Sequence, residues 1–113
     1  MLFRSNEIMI LDLQKEIINN QSEVFEENLK LNVDKELAEI DKYEKLKNID
    51  EENVALREKV LKTSSSQLEN GMITTSDYIT DMNNLSQARL NLYIHKIQLV
   101  RSKINLLNLT GKQ

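Results

Sequence analysis

The chain has no cysteine, no proline and no tryptophan, and its 113 residues include only two glycines, Gly71 and Gly111. Without cysteine there can be no disulfide, no thiolate nucleophile and no thiolate metal site, and any redox compartment is compatible, the periplasm included. Proline and glycine are the main punctuation of regular structure, so their scarcity means long uninterrupted elements. Aromatics are 4% of a chain that is 40% hydrophobic. Its apolar surface therefore comes from Leu, Ile and Val, without the bulky side chains that fill a globular core. Such a chain buries stripes along a seam, in a coiled coil or against copies of itself.

Long hydrophobic runs are also missing. No stretch approaches the roughly 20 apolar residues that span a bilayer, so the chain is expected to be soluble as written, with no direct membrane contact. Its first residues carry no basic segment followed by a long apolar core, because Asp12 cuts the run 8–11, and no signal peptide is expected within it. Chemistry-bearing motifs are sparse too. His95 is the only histidine and has no second ligand at helical spacing, and there is no glycine-rich phosphate loop and no nucleophile motif. No catalytic residue, metal site or cofactor is expected, and a lone helical histidine is read as inert.

What the sequence does contain is organised around one stretch, Leu68-Glu69-Asn70-Gly71-Met72-Ile73-Thr74-Thr75-Ser76-Asp77-Tyr78-Ile79. Gly71 can take the left-handed conformation that ends a helix. Thr74 stands three residues before Asp77 in the T-x-x-D form of a capping box, which makes Ile73 and Tyr78 the N′ and N4 positions of a hydrophobic staple. Stop, turn and start signals thus fall within about eight residues, which predicts antiparallel neighbouring helices.

Before the turn, residues 6–70 hold no breaker and predict one helix of about 65 residues, near 100 Å long. Apolar residues cluster at 8–11, Leu13, Ile17, Ile18, Val24 and Phe25. The phase slips between Leu29 and Val33, marking either a kink or a change of packing partner. It resumes as Leu37, Ile40, Tyr43, Leu46, Ile49, Asn53, Leu56 and Val60, the steps of a coiled-coil seam. Asp41/Lys45 and Glu58/Lys62 are spaced for i,i+4 pairs on a solvated face. Thr63-Ser64-Ser65-Ser66 is poor in helix propensity. It permits either close helix approach or fraying near the hairpin end.

After the turn, a second helix of about 34 residues is predicted over 75–108, ending near Gly111. Leu85, Leu92, Leu99 and Leu106 repeat every seven residues, and so do Leu90, Ile97 and Ile104. An apolar arc this broad suggests a helix packed on two sides, as in a bundle or a closed ring of helices. Residues 1–74 carry 10 basic and 16 acidic side chains, whereas 75–113 carry 5 and 2. Acid therefore faces base along an antiparallel pair, and no basic stripe with interleaved aromatics points to nucleic acid. The expected fold is all-α: a single long antiparallel hairpin with a coiled-coil seam. Centred near residue 73, it sets Leu109 opposite about Leu37 and leaves 8–33 unpaired within the chain, which predicts self-association as a dimer or higher oligomer.

From about residue 54 to 111 the chain resembles the outer-membrane efflux protein family, the TolC-like channels of Gram-negative drug efflux and type I secretion. The resemblance rests on Leu68-x-x-Gly71, then Gly71-x-x-Thr74-x-x-Asp77-x-Ile79, then Leu106-x-x-x-x-Gly111, with Gln87-Ala88-Arg89 at a frequent Gln-Ala pair. It implies a periplasmic α-barrel built by three protomers beneath an outer-membrane β-barrel. The tip residues Asn70, Gly71, Met72, Ile73, Thr74, Thr75, Ser76 and Asp77 would form the entrance and dock a periplasmic adaptor, in an assembly with an inner-membrane transporter. Two positions depart from the pattern. Leu68 stands where an aromatic is usual, and Ile73 where some members carry an arginine of an entrance latch, so the resemblance does not carry a charged latch over to that position. The β-strands are missing, which makes the chain a hairpin fragment of such a channel. A periplasmic adaptor's own hairpin and a generic coiled-coil scaffold are the alternatives, but the adaptor tip pattern Arg-x6-Leu-x3-Ser/Thr does not span Gly71.

Overall fold

A computed structural model describes residues 2–111. They form two helices, α1 (Leu2–Glu69) and α2 (Thr75–Thr110), with no strand among the described residues. At 1.5 Å per residue α1 should be about 102 Å long, and the molecule measures 103 × 23 × 18 Å. Its radius of gyration, 28.1 Å, is double the ~13 Å of a compact domain of this length. The chain is therefore an all-α hairpin whose long axis is one unbroken helix.

The helix limits shift slightly from those expected. α1 begins by Leu2 rather than near residue 6, and α2 runs on to Thr110 rather than stopping near 108. The reversal occupies 70–74, because Thr74 is the N-cap and Thr75 is already helical. No kink accompanies the phase slip at 29–33. That slip marks a change of packing partner: residues 4–28 are exposed, half-buried positions begin at Leu29 and Val33, and the register that joins Asp50 to His95 brings the end of α2, Thr110, opposite about residue 35.

On α2 the seam has two rows of period seven. Tyr78, Leu85, Leu92, Leu99 and Leu106 form one, and Asp81, Ala88, His95, Ser102 and Leu109 the other, all buried or half-buried. The facing rows on α1 are Val33, Ile40, Lys47, Val54, Leu61, Leu68 and Leu29, Glu36, Tyr43, Asp50, Arg57, Ser64. This corrects the seam expected from apolar spacing. Ile40, Tyr43, Leu46, Asn53 and Val60 are indeed half-buried, but Leu37, Ile49 and Leu56 are exposed. One row of the seam is polar, so tracing hydrophobic residues alone takes in the exposed Leu37, Ile49 and Leu56 and misses Glu36, Asp50 and Arg57.

Burial is modest, as two helices without a third layer require. Leu85, Ala88 and Leu99 are the buried apolar residues, and Ser64 and Ser102 the buried polar ones. Small residues sit where the opposing side chain is long: the register that joins Asp50 to His95 sets Ser102 opposite Tyr43 and Ala88 opposite Arg57. Thr63-Ser64-Ser65-Ser66 stays helical and Ser64 is buried. That serine run therefore serves close helix approach.

Candidate functional site

The tip is built by two reciprocal sets of hydrogen bonds. α1 ends in a Schellman motif with Gly71 at C′, at φ +69. Met72 N–H donates to the Gln67 carbonyl at 2.8 Å and Gly71 N–H to that of Leu68 at 3.1 Å, satisfying acceptors that the helix end leaves open. α2 opens with the full capping box: Asp77 N–H donates to Thr74 Oγ1 and Thr74 N–H to the Asp77 carboxylate, each at 3.1 Å. Ile73 and Tyr78, the staple positions, are half-buried, whereas Met72 is 71% exposed at the apex. Asn70, Gly71, Thr74, Thr75, Ser76 and Asp77 are exposed as well. All eight expected tip residues thus lie together at one end of the rod, with a large thioether side chain outermost.

A second group of polar residues, below the tip, runs along the seam. Ser64 Oγ–H donates to the Asp81 carboxylate. Thirty-one residues apart in sequence, Arg89 reaches Glu58 at 3.3 Å. Farther down, His95 Nδ1 meets the Asp50 carboxylate, with Tyr43 beside the imidazole at 6.1 Å between ring centroids. A carboxylate only accepts, so Nδ1 carries the hydrogen. Lys103 and Glu44 approach to 3.9 Å. Acid does face base as the charge asymmetry implies, and every buried side-chain polar atom among the described residues has a partner.

One sequence reading changes here. Asp41 and Lys45 do pair along α1 at 2.9 Å, but Glu58 joins Arg89 across the hairpin in place of Lys62. His95, for which no metal or catalytic role is expected, has a structural place that the sequence reading did not assign: it sits in the seam against Asp50, with 25% of its side chain exposed. The signal available in the sequence was its place in the row Asp81, Ala88, His95, Ser102, seven residues apart.

A shallow groove of about 250 Å³ between Glu39, Tyr43, Arg101 and Ser102 is open and polar, unlike the enclosed apolar clefts that hold small ligands. Among the described residues no group of three or more His, Cys, Asp or Glu could hold a metal ion, and no helix is long and apolar enough to cross a membrane. Comparison with known protein families, with curated proteins and with solved structures returns no match.

Proposed function

We propose that this hairpin is a wall segment of a TolC-like periplasmic α-barrel, part of an outer-membrane channel for efflux or secretion. Its tip forms the entrance and docks a periplasmic adaptor. The reading makes the chain an architectural element rather than an enzyme, trimeric in the full channel and coupled through the adaptor to an inner-membrane transporter. The observation that carries it is the two-sidedness of α2. Leu99 is buried against α1 while Ile97 and Val100 stand exposed on other faces, so the helix is apolar where one partner would leave it polar. Helices in a closed ring need neighbours on both flanks. The Gly71 and Thr74/Asp77 tip and the cap at Gly111, φ +70, sit at the spacings of the family pattern.

The coding sequence flanking this stretch tests the proposal. Amphipathic strands of about 10 residues with alternating apolar positions, together with an export signal, support it. A gene that encodes no such strands overturns it and leaves a coiled-coil scaffold as the function.

A further inference from the structure

The outer edge of α2 is apolar, whereas the outer edge of α1 alongside it is charged. Leu90, Ile97 and Ile104 repeat every seven residues, as do Tyr93, Val100 and Leu107, and all six are 48–65% exposed. At 3.5 residues per turn these two rows lie about 206° and about 154° around the helix from the seam row Ala88, His95, Ser102, so they straddle the point opposite α1. The two equivalent rows on α1, over residues 34–66, hold Asp34, Asp41, Lys45, Glu52, Lys59 and Lys62 and no leucine, isoleucine or valine, and every position in them is exposed. α1 is thus finished as a solvent edge along the hairpin, while α2 lacks a neighbour on its far side.

The two apolar rows interleave in steps of three and four from Leu90 to Leu107, about 26 Å of helix. That is the spacing of a coiled-coil seam, and the seam is self-complementary. When two copies of α2 run antiparallel about a twofold axis between residues 98 and 99, Leu90 meets the partner's Leu107, Tyr93 the partner's Ile104, and Ile97 the partner's Val100, each contact occurring twice. Every layer is then apolar. Each side chain has about 100 Å² of apolar surface, of which roughly half is exposed. With apolar area at about 65% of a homodimer contact, the two copies together cover about 1,000 Å², the size at which specific interfaces begin.

We propose that the outer edge of α2 binds the same edge of a second copy of this chain, giving an antiparallel twofold dimer with its helices side by side in the order α1, α2, α2, α1. Because the contact lies opposite α1, both α1 helices stay on the outside of the row and neither blocks the approach. Antiparallel pairing opposes the two helix dipoles. It also sends the two overhangs, each with three basic and six acidic side chains over residues 4–31, to opposite ends. Lys103 flanks the contact beside the partner's Lys96 and is already matched within its own chain by Glu44 at 3.9 Å. Apolar burial therefore drives this association, and charge does not. The dimer needs only residues 1–113 and goes beyond the channel reading: a ring neighbour would take the same edge in a channel, and a chain that fails to dimerise leaves that reading standing.

The chain has no cysteine of its own, so cross-linking reads the contact directly. Chains bearing Leu90→Cys and chains bearing Leu107→Cys are mixed, equilibrated and oxidised. A disulfide-linked dimer should form in the mixture and in neither variant alone, because residue 90 of one copy lies about 25 Å along the axis from residue 90 of the other. Sedimentation equilibrium should show a reversible dimer for the parent chain that holds at 1 M NaCl, and at least a tenfold weaker one for Ile97→Glu. Ile97 is exposed in the hairpin, so circular dichroism of that variant should stay helical. Ala55→Glu, on the charged edge of α1, and Val24→Glu, in the overhang, should leave the dimer unchanged. The proposal is overturned by a parent chain that stays monomeric at millimolar concentration, or by cross-linking of Leu90→Cys chains with each other, which would mean parallel pairing. A dimer that Val24→Glu weakens and Ile97→Glu does not overturns it as well, as does a monomer that floats with anionic phospholipid vesicles through the same edge.

Discussion

His95 and Asp50, 45 residues apart in sequence, meet side chain to side chain across the seam, with 25% and 14% of their side chains exposed. A hydrogen bond to a charged group is worth about 1.5–3 kcal/mol net, and removing one buried partner strands the other. Asp50→Ala and His95→Ala should therefore each destabilise the hairpin by about 1–3 kcal/mol in urea unfolding at fixed chain concentration. Replacing both residues by leucine should recover most of the loss, since a well-packed apolar pair substitutes for a buried polar one. A double mutant as unstable as the two single losses added together would show that the pair is not coupled.

Arg89 and Glu58 form the contrasting case. Both side chains are more than half exposed, where ion pairs contribute about 0.2–1 kcal/mol and are screened by salt. Glu58→Gln should lower the unfolding midpoint slightly at low ionic strength and not measurably at 1 M salt.

The corrected seam predicts opposite outcomes for two leucines that look alike in sequence. Leu85 is buried and Leu56 is exposed. Leu85→Ala should cost about 2–4 kcal/mol, while Leu56→Ala should stay within about 0.5 kcal/mol. Equal effects in chemical unfolding would mean that the expected row Leu37, Ile49, Leu56 packs after all.

Much of this fold was readable beforehand because its signals are local. Gly71 and the Thr74/Asp77 box marked the reversal, the lack of breakers gave the 2:1 length ratio, and two heptad rows of α2 were visible, Leu85/Leu92/Leu99/Leu106 and Leu90/Ile97/Ile104, without showing which of them faces α1. The face of α1 was harder to read for a physical reason. Its seam positions include Glu36, Lys47, Asp50 and Arg57, and these are tolerated because the opposing row is polar or small, or because their long side chains reach solvent past the two-helix edge. Only the two rows read against each other reveal that. The tip residues were all placed together at the apex, since their geometry is set by capping rather than by distant contacts.

At the tip, Gly71 sits at φ +69 and an added Cβ would meet nothing within 4 Å. The penalty for a side chain is therefore the left-handed backbone alone, about 1–2 kcal/mol. Gly71→Asn should be tolerated better than Gly71→Ala, and Gly71→Val worst, as read by shifts in denaturation midpoint. If the tip docks an adaptor in the complete channel, Gly71→Val should reduce export more than a valine at exposed Glu52 does.

Thr74→Ala removes the hydroxyl that receives Asp77 N–H and should cost about 0.5–2 kcal/mol, whereas Thr74→Ser should cost much less. Amide exchange should quicken at Asp77 in the alanine variant while Leu99 near the far end keeps its protection. Uniform loss of protection would show that the cap nucleates the whole hairpin.

The polar row also acts as a key. In the apolar row a slip of one heptad replaces leucine by leucine and aliphatic by aliphatic at most positions, so hydrophobic burial barely distinguishes neighbouring alignments. The same slip sets Asp50 against Ser102 in one direction and against Ala88 in the other, and in both it loses its imidazole. Leucines make the two helices adhere, and the Asp50–His95 layer tells them where along 103 Å to stop sliding.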